Sequence, residues 1–281
     1  MPELPEVETT RRGLAPYVEG HKLVAFSIHE RRLRWPVDIP EDLLGQAVRR
    51  LRRRGKYLLA EFDGGALILH LGMSGSLRFV PRGSELLTHD HVELDFGTEQ
   101  VLRLNDPRRF GCVLWQQGEV ESHPLLASLG PEPLENEFSG DQLFKRSRGR
   151  RVAVKIFLMD AKVVTGVGNI YANESLFLAG VRPTRKSGSI PRHQWEHVAR
   201  AVRKVLADSI SLGGTTLRDF INPEGRPGYF RQQLRVYDRE SEPCIQCGTP
   251  LIAVVLGGRS TFYCPACQPA KGFGPVSCRS C

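Results

Sequence analysis

Four of the chain's seven cysteines lie in one short stretch, EPCIQCGTPLIAVVLGGRSTFYCPAC. There Cys244, Cys247, Cys264 and Cys267 form two C-x2-C pairs with sixteen residues between them. Paired thiolates at this spacing match tetrahedral Zn²⁺, and four sulfurs close the coordination sphere. The metal implied is one structural zinc with no open catalytic position. Between the pairs, PLIAVV and STFYC flank a GGR turn. That pattern predicts a β-hairpin with Arg259 at its tip. Such an arginine is either a solvated loop residue or, beside nucleic acid, a probe for groove or phosphate. Cys278 and Cys281 add a further C-x2-C in a Gly/Pro tail, but one pair cannot complete a tetrahedral site alone.

A second constellation suits anions. KIFLMDAKVVTGVGNIYANESL reads as helix, glycine turn, helix. Gly166 and Gly168 permit close backbone approach, and Asn169 stands at the start of the second helix, where free amides and the helix dipole attract negative charge. An ordinary Asn-capped helix hairpin explains the same residues. Neighbouring charge favours the anion site: Arg151, Lys155 and Lys162 are close in sequence, and RRLRRRGKYLL (49–59) adds six basic residues elsewhere. Two basic surfaces on two domains suggest a cleft that holds a duplex. The whole chain agrees, with 39 Lys and Arg against 31 Asp and Glu, a net charge of +8. That surplus points to a polyanion, nucleic acid or an anionic membrane surface, unless the chain is simply a basic enzyme. No run reaches the ~18 apolar residues of a membrane span, and the N-terminus lacks the layout of a signal peptide. A cytoplasmic protein is expected, with thiols or metal ligands rather than disulfides.

These residues need elements to hold them. At 281 residues the chain is long enough for about two domains. Pro5 to Ala15 predicts a short helix with glutamates in its first turn and Gly13 and Pro16 as breakers. From about 22 to 116 the pattern has period two: KYLLAEF, ALILHLG, HVELDF and VLRLND are separated by Gly, Pro or Asp. That predicts a β-sandwich or barrel with the first helix packed alongside. Residues 117–140 are rich in Pro, Gly and acid and read as a linker. VAVKIFLMD, NIYANESLFLAG and HQWEHVARAVRKVLADSI then carry apolar residues at helical spacing. Residues 213–232 hold too many glycines and prolines for a regular element and predict a long functional loop.

Several segments together resemble one family. PELPEVET at the start, HLGMSG (70–75), NDPRRFG (105–111), LMD…GVGNIYANE (158–174) and the four-cysteine finger are similar to bacterial formamidopyrimidine-DNA glycosylase, which excises 8-oxoguanine and ring-opened purines. The likeness runs from Pro2 to about Cys267, and only the tail departs from the pattern. It implies an α+β fold: an N-terminal β-sandwich with flanking helices, then a helical domain with a helix–two-turn–helix and a β-hairpin zinc finger. The boundaries expected are 1–130, 131–235, 236–270 and a tail at 271–281. The partner implied is double-stranded DNA containing oxidised bases, met by a monomer associated with the nucleoid and not with a membrane.

Removal of Met1 would leave Pro2 with a secondary amine. Such an amine can attack a sugar carbon, expel the base and form an iminium that needs no proton to be cationic. The iminium acidifies the C2′ hydrogen, so β-elimination and then a second elimination follow from one nucleophile. An α-amine has a pKa of about 7.7–8.0, which leaves roughly a tenth as free base at pH 7. Nearby carboxylates raise that pKa, while desolvation and the charge of Lys56 lower it. The resemblance implies Glu3 as proton shuttle, Glu6 as a positioning group, Lys56 as general acid for β-elimination and Arg259 for the final elimination. Because arginine scarcely deprotonates, holding phosphate suits Arg259 better. A base inside a duplex must be flipped to reach Pro2. The resemblance implies that Met73, Arg108 and Phe110 fill the vacated space. It also implies phosphate or backbone contacts from His89, Arg109, Arg151, Lys155 and Asn169, and closure of the 213–232 loop over the damaged base.

Two rivals stand beside this reading. Endonuclease VIII shares Pro2 and Glu3 but prefers oxidised pyrimidines, and PELPEVET favours the purine branch. A non-catalytic zinc-finger DNA-binding protein explains charge and cysteines, but gives no reason for an acidic cluster after a removable methionine.

Overall fold

A computed structural model describes residues 2–213 and 234–272, so most of the expected 213–232 loop and the Cys278/Cys281 pair lie outside the described residues. Helix α1 (Leu4–Val18) opens with a capping box. Glu3 is the N-cap, its amide donates to Glu6 Oε2 at 2.8 Å, and Pro5 occupies the first turn, where no N–H is missed. The sequence predicts an end at Ala15, but the helix runs on to Val18 through Pro16. Val18 continues the buried stripe of Leu4, Val7 and Leu14. Burying a valine is worth about 1.5–3 kcal/mol. The one hydrogen bond that Pro16 cannot donate is worth about 1 kcal/mol net, so burial wins.

Eight strands follow and form two four-stranded sheets, antiparallel throughout. In chain order they are β1 (Ala25–Ile28), β2 (Arg50–Arg54), β3 (Tyr57–Phe62), β4 (Gly65–His70), β5 (Ser76–Pro81), β6 (Asp90–Asp95), β7 (Gln100–Asn105) and β8 (Cys112–Gln117). One sheet has the order β2-β3-β4-β8 and the other β1-β6-β7-β5. Leu58, Leu67, Leu69 and Val113 from the first, Leu77, Val92, Leu94 and Leu104 from the second, and Val7, Leu14 and Val18 from α1 share one buried cluster. Two separate sheets around one core make a sandwich, an issue that periodicity leaves open. Strict alternation is lost in β4, where Ala66 to Leu69 are all buried, as happens when both faces of a strand are covered.

The chain crosses between the sheets twice at one place. Residues 71–75 leave β4 and enter β5, while residues 106–111 leave β7 and enter β8. His70 pairs with Cys112 in one sheet, and Ser76 pairs with Asn105 in the other. The two crossovers therefore run side by side.

Residues 129–209 and 234–272 make the second compact unit. The stretch 117–140 leading into it carries a short helix, α2 (Pro124–Ala127), and buries Val120, Leu126 and Phe138. Helix α3 (Gly140–Ser147) has no counterpart in the expectations above, although Ser139 caps it by accepting from the Gln142 amide at 3.2 Å. Next come α4 (Val154–Met159), turns that include Gly166 at φ 84°, α5 (Asn169–Leu178), and the 20-residue α6 (Arg192–Ser211). The unit ends in a hairpin of β9 (Ile252–Leu256) and β10 (Arg259–Tyr263). Gly257 and Gly258, at φ 57° and 72°, supply the two-residue turn that the twist of a hairpin favours.

Candidate active site

Pro2 is buried at the start of α1, and Glu3 and Glu6 are each 2% exposed. The capping box explains that burial. Glu6 holds the Glu3 amide, so the Pro2–Glu3 segment is fixed by the helix itself. Contacts along α1 then show where this end lies. Glu19 Oε1 accepts from the Leu51 amide at 2.7 Å, and Glu8 pairs with Arg53 at 3.3 Å. Moving toward the start of α1 thus means moving along β2 toward the Gly55–Lys56 turn. Burial pushes the Glu8 pKa up, but bonds from Arg11 and Arg12 outweigh that and hold it below the usual carboxylate range. Lys56 occupies the second central position of the β2–β3 turn, after Gly55 at φ 57°. The expected nucleophile, Pro2, and the expected general acid, Lys56, therefore lie toward the same end of β2.

His70, a residue to which the sequence reading gives no role, lies beside Lys56. Its Nδ1 accepts from the Gly72 amide at 2.9 Å, and its ring lies 4.7 Å from that of Tyr57. Burial, then the charges of Lys56 and Arg34, push its pKa down to about 4. An accepting Nδ1 requires the neutral ring, so geometry and charge agree.

The three residues expected to fill the void sit on the two crossovers. Met73 and Phe110 are exposed, at 37% and 43%. The Arg108 guanidinium lies 5.0 Å from the centre of the Phe110 ring. His89 and Arg109 have φ values of 74° and 53°, a left-handed conformation that costs a side-chain-bearing residue energy and concentrates at functional sites. Arg109 points elsewhere than Arg108: its Nη1 pairs with Glu30 Oε2 at 3.2 Å. Hydrogen bonds from the Arg32 side chain and backbone hold Glu30 down at about 2 against desolvation, and the charges of Arg32 and Arg109 add to them.

In the second unit two expected residues converge on the hairpin that carries the third, Arg259. Lys155 Nζ donates to the Ser260 carbonyl at 2.9 Å and to Thr261 Oγ1 at 2.7 Å. Asn169 Nδ2 donates to the same Ser260 carbonyl at 3.1 Å. Ser260 follows Arg259, which is exposed beside the hairpin turn and lines a cavity of about 370 Å³ with Arg150, Ile156 and Asp160. Asn169 stands at the start of α5 as expected, but as its first residue, with Gly168 rather than an Asn as the cap. Lys155 has no exposed surface, because its ammonium ties α4 to β10, so the basic face expected around it reduces to its neighbours. Arg151 is exposed just ahead of α4.

The four cysteine sulfurs all lie within 4.8 Å of one another, with Cys244–Cys267 at 3.9 Å and Cys247–Cys264 at 3.5 Å. Tetrahedral zinc with Zn–S of about 2.3 Å needs S–S edges of about 3.8 Å, so the donor set fits. Backbone amides also aim at the sulfurs, Gln246 N at Cys244 Sγ (3.4 Å) and Cys267 N at Cys264 Sγ (3.3 Å). Buried side chains of α5 grip this module. Asn173 Oδ1 accepts from the Phe262 amide at 2.9 Å, and Glu174 accepts from the amides of Arg235, Val236 and Tyr237. Burial pushes the Glu174 pKa up, and those three amides work against it.

Comparison with known proteins now has a geometry to meet. Family models match along the chain: the formamidopyrimidine-DNA glycosylase N-terminal domain at residues 1–113, its H2TH domain at 129–221, and the zinc finger found in FPG and IleRS at 241–270. A relative named formamidopyrimidine-DNA glycosylase, from Methylococcus capsulatus, is 56% identical over 270 residues, covering 95% of this chain and all of its own. The MutM (FPG) protein of Thermus thermophilus superposes with a TM-score of 0.87 at 37% identity, over 96% of this chain and 100% of that one. Lactococcus lactis Fpg in complex with abasic-site DNA gives 0.87 at 29% identity (95% and 99% covered). MutM in complex with DNA containing carbocyclic 8-oxo-G gives 0.87 at 30% identity (95% and 100% covered). Sandwich, helix–two-turn–helix and zinc finger occur in the order that family requires, and the chain belongs to the formamidopyrimidine-DNA glycosylases.

Proposed function

We propose that this protein excises oxidised purines, 8-oxoguanine and formamidopyrimidines, from duplex DNA and then cuts the strand by β,δ-elimination. The observation that carries the reading is the fixed Pro2–Glu3 start of α1, with both residues buried and the Glu3 amide held by Glu6 at 2.8 Å. With Met1 removed, the Pro2 nitrogen attacks C1′ and the base leaves with the glycosidic electrons. Glu3 passes a proton as the deoxyribose ring opens, and the resulting iminium draws electrons from C2′ as its proton departs. The 3′ phosphate leaves in the first elimination, with Lys56 as acid, and the 5′ phosphate in the second. There Arg259 holds the phosphate, because a guanidinium stays charged. Met73, Arg108 and Phe110 occupy the space left by the flipped nucleotide, and Arg108 is the one aimed at the orphaned base, since Arg109 is paired with Glu30. His89, Arg109, Arg151 and Asn169 take the DNA backbone, while Lys155 acts through the hairpin that it anchors. Complexes of similar proteins with 8-oxo-G and abasic-site DNA support the substrate class and the lyase step. The reading includes a monomer in the cytoplasm, at the nucleoid.

Borohydride should trap a covalent adduct with 8-oxoguanine duplex, lost in Pro2→Gly and in protein that retains Met1. Processed protein that forms no adduct would leave a non-catalytic DNA-binding protein as the better account. Excision of 8-oxoguanine and thymine glycol should be compared on the same duplex. Preference for the pyrimidine lesion would move the chain toward an endonuclease VIII activity.

A further inference from the structure

We infer that Asp106 is a positioning residue which, through Ser74, joins the Met73 crossover and the Arg108–Phe110 crossover into one void-filling unit. This rests on the void-filling role proposed above. Asp106 is fully buried. Its Oδ1 accepts from Ser74 Oγ at 3.1 Å and from the Arg108 amide at 3.3 Å, and its Oδ2 accepts from the Gly111 amide at 2.7 Å. One carboxyl group thus holds both ends of the Arg108–Phe110 segment and reaches across to the residue after Met73. Its backbone is held as well: the carbonyl lies 2.8 Å from His91 Nε2, and the amide donates to the His89 carbonyl at 3.0 Å.

The crossovers also touch backbone to backbone. A Cβ on Gly72 would fall 2.5 Å from the Phe110 carbonyl carbon, and Gly72 has φ +62°, which glycine alone adopts freely. A Cβ on Gly111 would fall 2.6 Å from the His70 carbonyl oxygen. Side-by-side register sets the approach, the two glycines remove the obstruction, and the Ser74–Asp106 bond supplies a side-chain link between the two loops. Side chains carried on one rigid unit enter the duplex together, so removing one disables the other.

The test is a double-mutant cycle on the full chain, read as kcat/KM for excision from an 8-oxoguanine·cytosine duplex. In the wild-type background, Met73→Ala and Arg108→Ala should combine to less than the product of their separate losses, by about tenfold. In Ser74→Ala the two losses should multiply, and Ser74→Thr should restore the coupling. Single-stranded abasic DNA has no orphaned base, so its cleavage should not register the coupling, whereas a folding defect would slow both substrates. Asp106→Asn, which turns an amide NH₂ toward backbone donors, should act like Ser74→Ala or more strongly. Multiplying losses in the wild type, or coupling unchanged by Ser74→Ala, would overturn the inference while leaving the void-filling role intact. If neither Met73→Ala nor Arg108→Ala affects the duplex, the role itself fails and the inference with it.

Discussion

His70 links the Lys56 turn to the Met73 crossover. Its Nδ1 takes the Gly72 amide, and burial together with Lys56 and Arg34 keeps the ring from gaining a proton until about pH 4. An unfolded chain would protonate the same ring near 6.5. The unfolded state therefore binds more protons between those values, and the stability His70 contributes is fully present above about pH 6.5 and is lost as pH falls toward 4. The difference corresponds to about 3 kcal/mol at most. Urea unfolding from pH 7 to 4 should show that loss in the wild type and a shallower one in His70→Asn, whose amide oxygen can still accept from Gly72. Equal slopes would mean that His70 does not link protonation to folding. This residue was not legible in HLGMSG, because its environment comes from Lys56 and Arg34 on other segments. The zinc cysteines were legible, since their spacing alone encodes a coordination sphere.

At the scale of elements, strands were readable where Gly, Pro or Asp punctuates an apolar run, as in KYLLAEF and ALILHLG. RLRRR hid a strand behind a charge pattern, and only its register with β3 reveals β2. Pro16 signals an end to α1 at Ala15, but Val18 is held in the helix by a core assembled from residues far away in sequence. The same distance hid what Lys155 does, since its partners lie 105 and 106 residues on. Lys155→Met should remove the donor to buried Thr261 Oγ1, which keeps only its own bond to the Arg259 carbonyl, a cost of about 1 kcal/mol. Asn169 still serves the Ser260 carbonyl, so the hairpin should loosen without being lost. Zinc content should stay at one per chain, while the β-elimination product should accumulate if Arg259, one residue before Ser260, holds the phosphate as proposed. Normal δ-product with unchanged stability would show that the buried ammonium does not position the hairpin.

On the scale of the whole molecule, the sandwich core and the cluster at the zinc site differ greatly in size. The sandwich cluster runs from Val7 to Val113, whereas the cluster around the zinc site combines Phe177, Val236, Leu251 and Phe262 with three of the cysteines. That second cluster is small, and metal binding supplies folding energy that so few apolar side chains cannot. The helices of the same unit bury Phe157, Tyr171, Trp195 and Val202 without the metal's help, so chelation should unfold the zinc hairpin first and leave the sandwich transition near its original value, which calorimetry with and without chelator can resolve. Because Arg259 and the carbonyl shared by Lys155 and Asn169 belong to the zinc hairpin, DNA binding should weaken together with the metal's loss. The way it weakens is informative. Losing phosphate contacts flattens the dependence of log K on log salt by about 0.9 per contact. Zinc-free protein should show a shallower salt slope as well as lower affinity, and restored Zn²⁺ should recover both. Unchanged slope with reduced affinity would assign the finger to stability alone and move the phosphate contacts to the arginines of the first unit.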